Sequence, residues 1–144
     1  MTSDSEVAIG VPPKKKRKAS KSPTSRTLEE CRKRGWLAGV VEQFVRFPPP
    51  GHRVDLFGVI DIVAVVPPSD EERGAILAIQ ATAGNSGDHA RRRAKILAEP
   101  RAKRWVEAGG RLELWSWGLR GDRGKAKRWM LRIETYAEML EAAR

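Results

Sequence analysis

One cysteine, one tyrosine and two histidines are all that this 144-residue chain carries of those residue types. A single cysteine excludes an intramolecular disulfide and fits a reducing compartment. No sequence pattern pairs Cys31 with His52 or His89, so it reads as a small half-buried residue on a helix rather than a nucleophile. The histidines show no Cys/His spacing, which excludes a zinc centre built from them. No apolar run approaches the ~18 residues of a membrane span. The longest, Val59 to Pro68, is interrupted by Asp61. No apolar signal-peptide core follows the start, so export through such a signal is not expected. A Gly-rich P-loop and a GxSxG elbow are also missing, which removes nucleotide hydrolases of that type and serine hydrolases.

Positive charge is abundant. Lys and Arg number 28 against 18 Asp and Glu, a net charge of +10. Half of that excess falls in residues 1–26, where Lys14, Lys15, Lys16, Arg17, Lys18, Lys21 and Arg26 face only Asp4 and Glu6. This stretch is polar, contains proline and lacks periodicity, and it reads as a disordered basic arm preceding one domain over residues 27–144. Both parts should be drawn to a polyanion, of which nucleic acid is the commonest. A membrane surface fits less well, because the arm has no apolar face. Pro13 to Lys18 resembles a monopartite nuclear-import signal, but such arms also bind phosphate backbones, and engineered proteins carry them too. The expected location is cytoplasmic and nucleoid-associated, or nuclear if that signal is read.

Punctuation and periodicity give the order α-β-β-β-α-β-β-α. Thr27-Leu28-Glu29-Glu30 has the form of a capping box opening a helix that ends at Gly35. Trp36 to Phe47 reads as a first strand, and Pro48-Pro49-Pro50-Gly51 forces a turn. Second and third strands follow at Val54 to Val66 and Ala75 to Thr82, joined by a polar loop. After a loop in which Asn85 or Ser86 can cap, Asp88 to Ala108 is helical, with Pro100 imposing a kink or a break. Arg111 to Trp117 and Arg128 to Glu134 read as strands four and five, and Thr135-Tyr136-Ala137-Glu138 repeats the capping-box pattern before a terminal helix.

Strands two and three carry the chemistry. Asp61 interrupts an apolar, β-branched run, where burying an ion costs several kcal/mol unless something positive or hydrogen-bonding faces it. Gln80 and Thr82 are two apart, so a strand places both on one face, roughly 6–7 Å apart. If the strands are neighbours, Asp61, Gln80 and Thr82 converge. Asp61 is then a candidate ligand for a divalent ion such as Mg²⁺, with Gln80 offering a neutral carbonyl oxygen. Asp55 shares the parity of Asp61, but a continuous strand would hold them about 20 Å apart, and only a bend at Gly58 brings them together. Glu42 could complete an acidic cluster, or stand as a solvated edge residue.

This layout resembles the PD-(D/E)XK nuclease superfamily, and within it bacterial, archaeal and phage proteins similar to Holliday-junction resolvases. That family's segment runs Gly-x-x-Asp into an apolar strand, a turn, then a second apolar strand ending in Glu-x-Lys. Here Gly58-Val59-Ile60-Asp61, followed by Ile62 to Val65, matches the first half, while Gln80 stands for the Glu and Thr82 for the Lys. Gln is a tolerated variant, whereas Thr82 removes the cation that normally orients the attacking water. The resemblance covers about residues 27 to 134. It implies an αβββαβ restriction-endonuclease-like core, here with an added strand and a C-terminal helix. It also implies Mg²⁺ or Mn²⁺ as cofactor, DNA as partner, and Asp61, Gln80 and Thr82 as the catalytic set of an endonuclease. A junction substrate would favour a two-fold homodimer.

Substitute cations stand nearby. Arg91, Arg92, Arg93 and Lys95 follow strand three and could meet phosphate at the entrance to the site. Arg120, Arg123 and Lys125, in a glycine-containing loop flanked by Trp117 and Trp129, could follow a DNA backbone. The rival to catalysis is a non-catalytic DNA-binding module on a degenerate nuclease scaffold, and a scaffolding protein with a basic tail is the third alternative. The arm should add affinity without reading sequence or shape. Replacing Lys14, Lys15, Lys16, Arg17 and Lys18 with Gln is expected to weaken binding to junction, duplex and single-stranded DNA alike, and to lower the slope of log K against log[salt] by up to about 4. A salt titration by fluorescence anisotropy checks this; altered preference between DNA forms with an unchanged slope would contradict it.

Overall fold

In the computed structural model, residues 20–84, 86–122 and 124–144 are described, so Lys14 to Lys18 of the arm, Asn85 and Arg123 lie outside the described residues. The first helix, α1 (Pro23–Lys33), starts earlier than the Thr27 box predicted. Ser22 caps it, its Oγ accepting from the Ser25 N–H at 3.1 Å, and Pro23 occupies the first turn, where its missing N–H is not needed. The folded body therefore takes in the last residues of the stretch assigned to the arm. Thr27 lies inside the helix, fully buried, and its hydroxyl accepts from the Trp117 indole N–H at 2.9 Å. The helix does close at Gly35, whose φ of 77° is the left-handed value glycine adopts at no steric cost.

The long first strand predicted from Trp36 to Phe47 is divided. β1 (Leu37–Val40) joins the main sheet, and the chain then leaves it to form a separate antiparallel hairpin of β2 (Gln43–Val45) and β3 (His52–Val54). Strand two is likewise cut: β3 ends at Val54, residues 55–61 make a tight loop, and the sheet resumes with β4 (Ile62–Val66). Gly58 (φ 79°) and Phe57 (φ 54°) turn the loop, and the Gly58 N–H donates to the Asp55 carbonyl at 2.9 Å. Strand periodicity cannot register such a break, because the residues on both sides remain apolar and β-branched.

β5 (Ala75–Ala83) is buried over most of its length. α2 (Ser86–Ala98) and α3 (Pro100–Glu107) replace the single helical stretch, Pro100 opening the second helix behind its Glu99 cap. β6 (Arg111–Arg120), β7 (Arg128–Thr135) and α4 (Tyr136–Ala142) complete the chain, and the Thr135–Glu138 capping box is formed. The result is a mixed α/β fold with four helices and a five-stranded sheet of order β1-β4-β5-β6-β7 among the described residues. Among the described strands only β5 and β6 pair in parallel, and α2 with α3 supplies the crossover that a parallel pair requires.

Each sheet face has its own core. Ile62, Ala64, Leu77, Ile79, Trp115 and Trp117 pack with Cys31 of α1 on one side. Ile60, Ala78, Leu112 and Leu114 pack with Ile96, Ala102 and Met139 of the other helices on the opposite side. Cys31 is fully buried, and desolvation pushes its thiol up to about 11, which fits an inert packing residue. No helix among the described residues is long and apolar enough to cross a membrane. Thr27→Val keeps the shape of the side chain and its helix propensity but strands the buried Trp117 N–H. It is expected to lower stability by about 1–3 kcal/mol. A urea midpoint equal to that of the parent chain would show that this bond does not contribute.

Candidate metal centre

The register of β4 against β5 fixes the centre. Ile62 pairs with Ile79, so the preceding Asp61 stands opposite Gln80. The Asp61 N–H donates to the Ile79 carbonyl at 3.0 Å and its carbonyl accepts from the Val41 N–H at 2.8 Å, clamping its backbone between β5 and the end of β1. With its position so held, the carboxylate is nearly buried, at 5 % exposure. Its Oδ2 accepts from Gln80 Nε2 at 2.7 Å and from the Ala81 N–H at 2.9 Å. Both donors fall on one oxygen, which leaves Oδ1 to whatever the groove holds.

The loop at Gly58 does what a continuous strand could not. It folds Asp55 back toward Asp61, and Glu42, just before β2, comes in from the other foot of the hairpin. Oxygens of Glu42, Asp55 and Asp61 all lie within 4.8 Å of one another. Carboxylate oxygens are the ligands that a hard divalent cation such as Mg²⁺ takes. Burial is the largest cause raising the Asp61 carboxyl, followed by the neighbouring Asp55 and Glu42 carboxylates, against the Ala81 N–H; the net effect takes it to about 8. In the absence of a cation this cluster therefore keeps a proton.

Gln80 gives a further indication of a missing partner. It is 2 % exposed, and with its amide N–H committed to Asp61 its Oε1 is buried without a hydrogen-bond donor. A buried carbonyl left in that state costs free energy that a cation or water would recover. The residues present thus fit a hard divalent cation: three carboxylates lie in one cluster, and the Gln80 amide, hydrogen-bonded to one of them, lines the same groove. Thr82 is also buried on the same strand and lines the same groove, a concavity of about 670 Å³.

The cations divide into those that reach the groove and those that do not. Arg92 and Lys95 line it, together with Arg53 and Asp88. Arg93, expected to meet phosphate, turns inward: its Nε and Nη2 donate to Glu134 of β7 at 2.6 and 2.8 Å. This bidentate pair holds Glu134 below the usual carboxylate range and, with the buried His89–Ser116 hydrogen bond, ties α2 to the sheet. The pKa of His89 is lowered, by burial first and by Arg132 next, although Glu134 opposes this. Arg91 is exposed and pairs with Asp88. Arg120 and Lys125 border a separate concavity at the β6–β7 turn. Trp117 is core, whereas Trp129 is partly exposed, with the Arg26 guanidinium 3.8 Å above its ring.

Sequence reasoning missed Arg53, which donates to Glu42 Oε1 at 2.7 Å across the β2–β3 hairpin. Nothing local marked it, because the pairing depends on a hairpin that the strand pattern merged into its neighbours. Comparison with protein-family models, with characterised proteins and with solved structures finds no match for this chain.

Because the folded, metal-free protein binds a proton that the unfolded chain releases near pH 3.8, its stability should fall as pH rises from there toward about 8. Asp61→Asn retains acceptors for Gln80 and Ala81 while removing the charge. In EDTA at pH 8 it should be the more stable protein, by about 1–3 kcal/mol. With the parent chain, Mg²⁺ should raise the melting temperature increasingly up to about that pH, and the variant should lose the effect. Urea and thermal melts across the range, with and without Mg²⁺, measure both; equal pH profiles for the two proteins would refute the assignment.

Proposed function

We propose that this chain is a divalent-metal-dependent DNA nuclease of the PD-(D/E)XK type. The observation that carries the reading is the meeting in one groove of the Glu42–Asp55–Asp61 cluster, the unpartnered Gln80 oxygen, and the cations Arg92 and Lys95. The path of the main sheet supports it. α1, β1, β4, β5, the crossover helices and β6 follow the αβββαβ order that the resemblance implies, with Asp61 and Gln80 opposite each other on adjacent strands. The basic arm and body fit DNA as the partner.

Asp61, Asp55 and Glu42 would hold Mg²⁺ or Mn²⁺, with Gln80 Oε1 as a neutral ligand. When bound, such an ion supplies Lewis-acid polarisation of the phosphate and activation of water for in-line attack. The chain's own groups do the rest. Arg92 and Lys95 would offset the negative charge that builds on the phosphate as water adds and the leaving oxygen departs, and Lys95 would supply from α2 the positive charge that Thr82 does not supply from β5. The Thr82 hydroxyl, at the groove wall, can accept and donate one hydrogen bond and so orient a water without charging it. Arg93 and His89 act at one remove, holding α2 and therefore its cations against the sheet.

One observation favours the second reading, a DNA-binding module without catalysis. The strand position that the family gives to lysine carries an uncharged Thr82, and Lys95 is an exposed, mobile-stemmed side chain on a helix. Incubation of labelled junction, duplex and single-stranded DNA with Mg²⁺, Mn²⁺ or EDTA separates the two. The expected result is metal-dependent product, reduced at least about 100-fold by Asp61→Asn and about 10–100-fold by Lys95→Ala, with DNA binding retained in both. Salt-sensitive binding with no product under any metal would establish the module instead.

A further inference from the structure

The β2–β3 hairpin grows out of the candidate centre. Glu42 immediately precedes β2 and Asp55 immediately follows β3, so two of the three clustered carboxylates are the hairpin's feet. Whatever the hairpin grips is thereby delivered to the cluster. Its exposed surface combines features that solubility alone does not explain. Phe44 is 59 % exposed and Phe47 74 %, beside Arg46, His52 and Arg53, with no acidic residue between Gln43 and Val54. Exposed apolar side chains scattered singly are ordinary, but aromatic ones gathered on a basic hairpin mark a contact surface.

A second groove of about 510 Å³ lies between this hairpin and the start of α1. It adjoins the first, since Thr24, Glu42 and Arg53 are walls of both. Its lining changes character away from the carboxylates: Phe44, Val40 and Leu28 give apolar surface, while Ser22 and Ser25 add hydroxyl groups. The Phe44 ring is held in place by the hairpin tip, where it rests on Gly51; a Cβ there would meet the ring at 2.5 Å, and the φ of 91° also favours glycine. A flat apolar wall, hydroxyl groups and a guanidinium at the junction with an acidic, cation-flanked groove match one nucleotide. Its base would take the Phe44 wall, and its phosphate would lie at Arg53.

We infer that this side groove is a subsite for a single unpaired nucleotide of a DNA strand whose next phosphate lies at the Glu42–Asp55–Asp61 cluster. The inference rests on the nuclease reading above and names its substrate class: DNA carrying an unpaired base next to the scissile phosphate, in preference to continuous duplex. In a duplex every base is stacked between its neighbours, so none is available to the Phe44 wall without the cost of extrusion.

The test is equilibrium binding of the full chain in EDTA, which stops cleavage, to a fluorescently labelled duplex and to the same duplex with one bulged nucleotide. The parent chain is expected to bind the bulged form about tenfold more tightly, Phe44→Ala to lose that margin while changing duplex affinity less than about twofold, and Phe44→Trp to keep it. Equal weakening of both DNA forms by Phe44→Ala, or no margin in the parent chain, would overturn the subsite. If the parent chain shows no margin yet cleaves duplex with Mg²⁺, the subsite falls and the nuclease reading stands. If it binds neither DNA, both fall.

Discussion

The carboxylate of Asp61 is held where a carboxylate is unfavourable. Its backbone is clamped between Ile79 and Val41, its side chain is almost fully buried, and two carboxylates of the same sign, Asp55 and Glu42, stand beside it. Two donors from β5, the Gln80 amide and the Ala81 N–H, compensate only part of that cost. A fold selected for stability alone would place an apolar residue at the start of β4, since the rest of that strand is apolar. Such a cluster could hold a cation, and the buried Gln80 oxygen without a hydrogen-bond partner belongs to the amide that bonds Asp61.

Much of the surrounding structure can be understood as support for that cluster. The Gly58 loop and the β2–β3 hairpin bring in carboxylates that are far from Asp61 in an extended chain. On the other side, α2 needs a fixed attitude toward β5 for Arg92 and Lys95 to border the groove. The Arg93–Glu134 pair and the His89–Ser116 contact supply it, tying the helix to β7 and β6. Of three consecutive arginines, one is therefore structural, one borders the groove, and one is solvated and paired with Asp88. Helical geometry sets this division, because successive residues point about 100° apart.

Positive charge is spread over several surfaces instead of forming one patch. Arg92 and Lys95 border the groove, Arg46 and Arg53 lie on the hairpin, and Arg120 and Lys125 stand at the β6–β7 turn. Since β5 and β6 run parallel and β6 continues past the level of Ala83, that turn projects from the same end of the sheet as the groove. A polyanion centred on the cluster could meet all three. Charge of this kind attracts a polyanion without reading its sequence or shape.

The elements with strong local signals were legible from the chain alone. Pro100 separated α2 from α3, Gly35 closed α1, the Thr135–Glu138 box opened α4, and the alternation in β6 placed Trp115 and Trp117 on one face. Asp61 and Gln80 were also identifiable, because a polar residue inside an apolar strand requires a partner wherever the strand goes. What the sequence could not convey was nonlocal. Ser22, not Thr27, caps α1, and the Thr27 hydroxyl instead accepts from Trp117, far along the chain. The breaks at residues 41–42 and 55–61 left strand-like composition intact while moving Glu42 and Asp55 into the cluster. Residue type and spacing determined which groups could carry chemistry; only packing decided which of them meet, because a carboxylate's neighbours are set by the path of the whole chain.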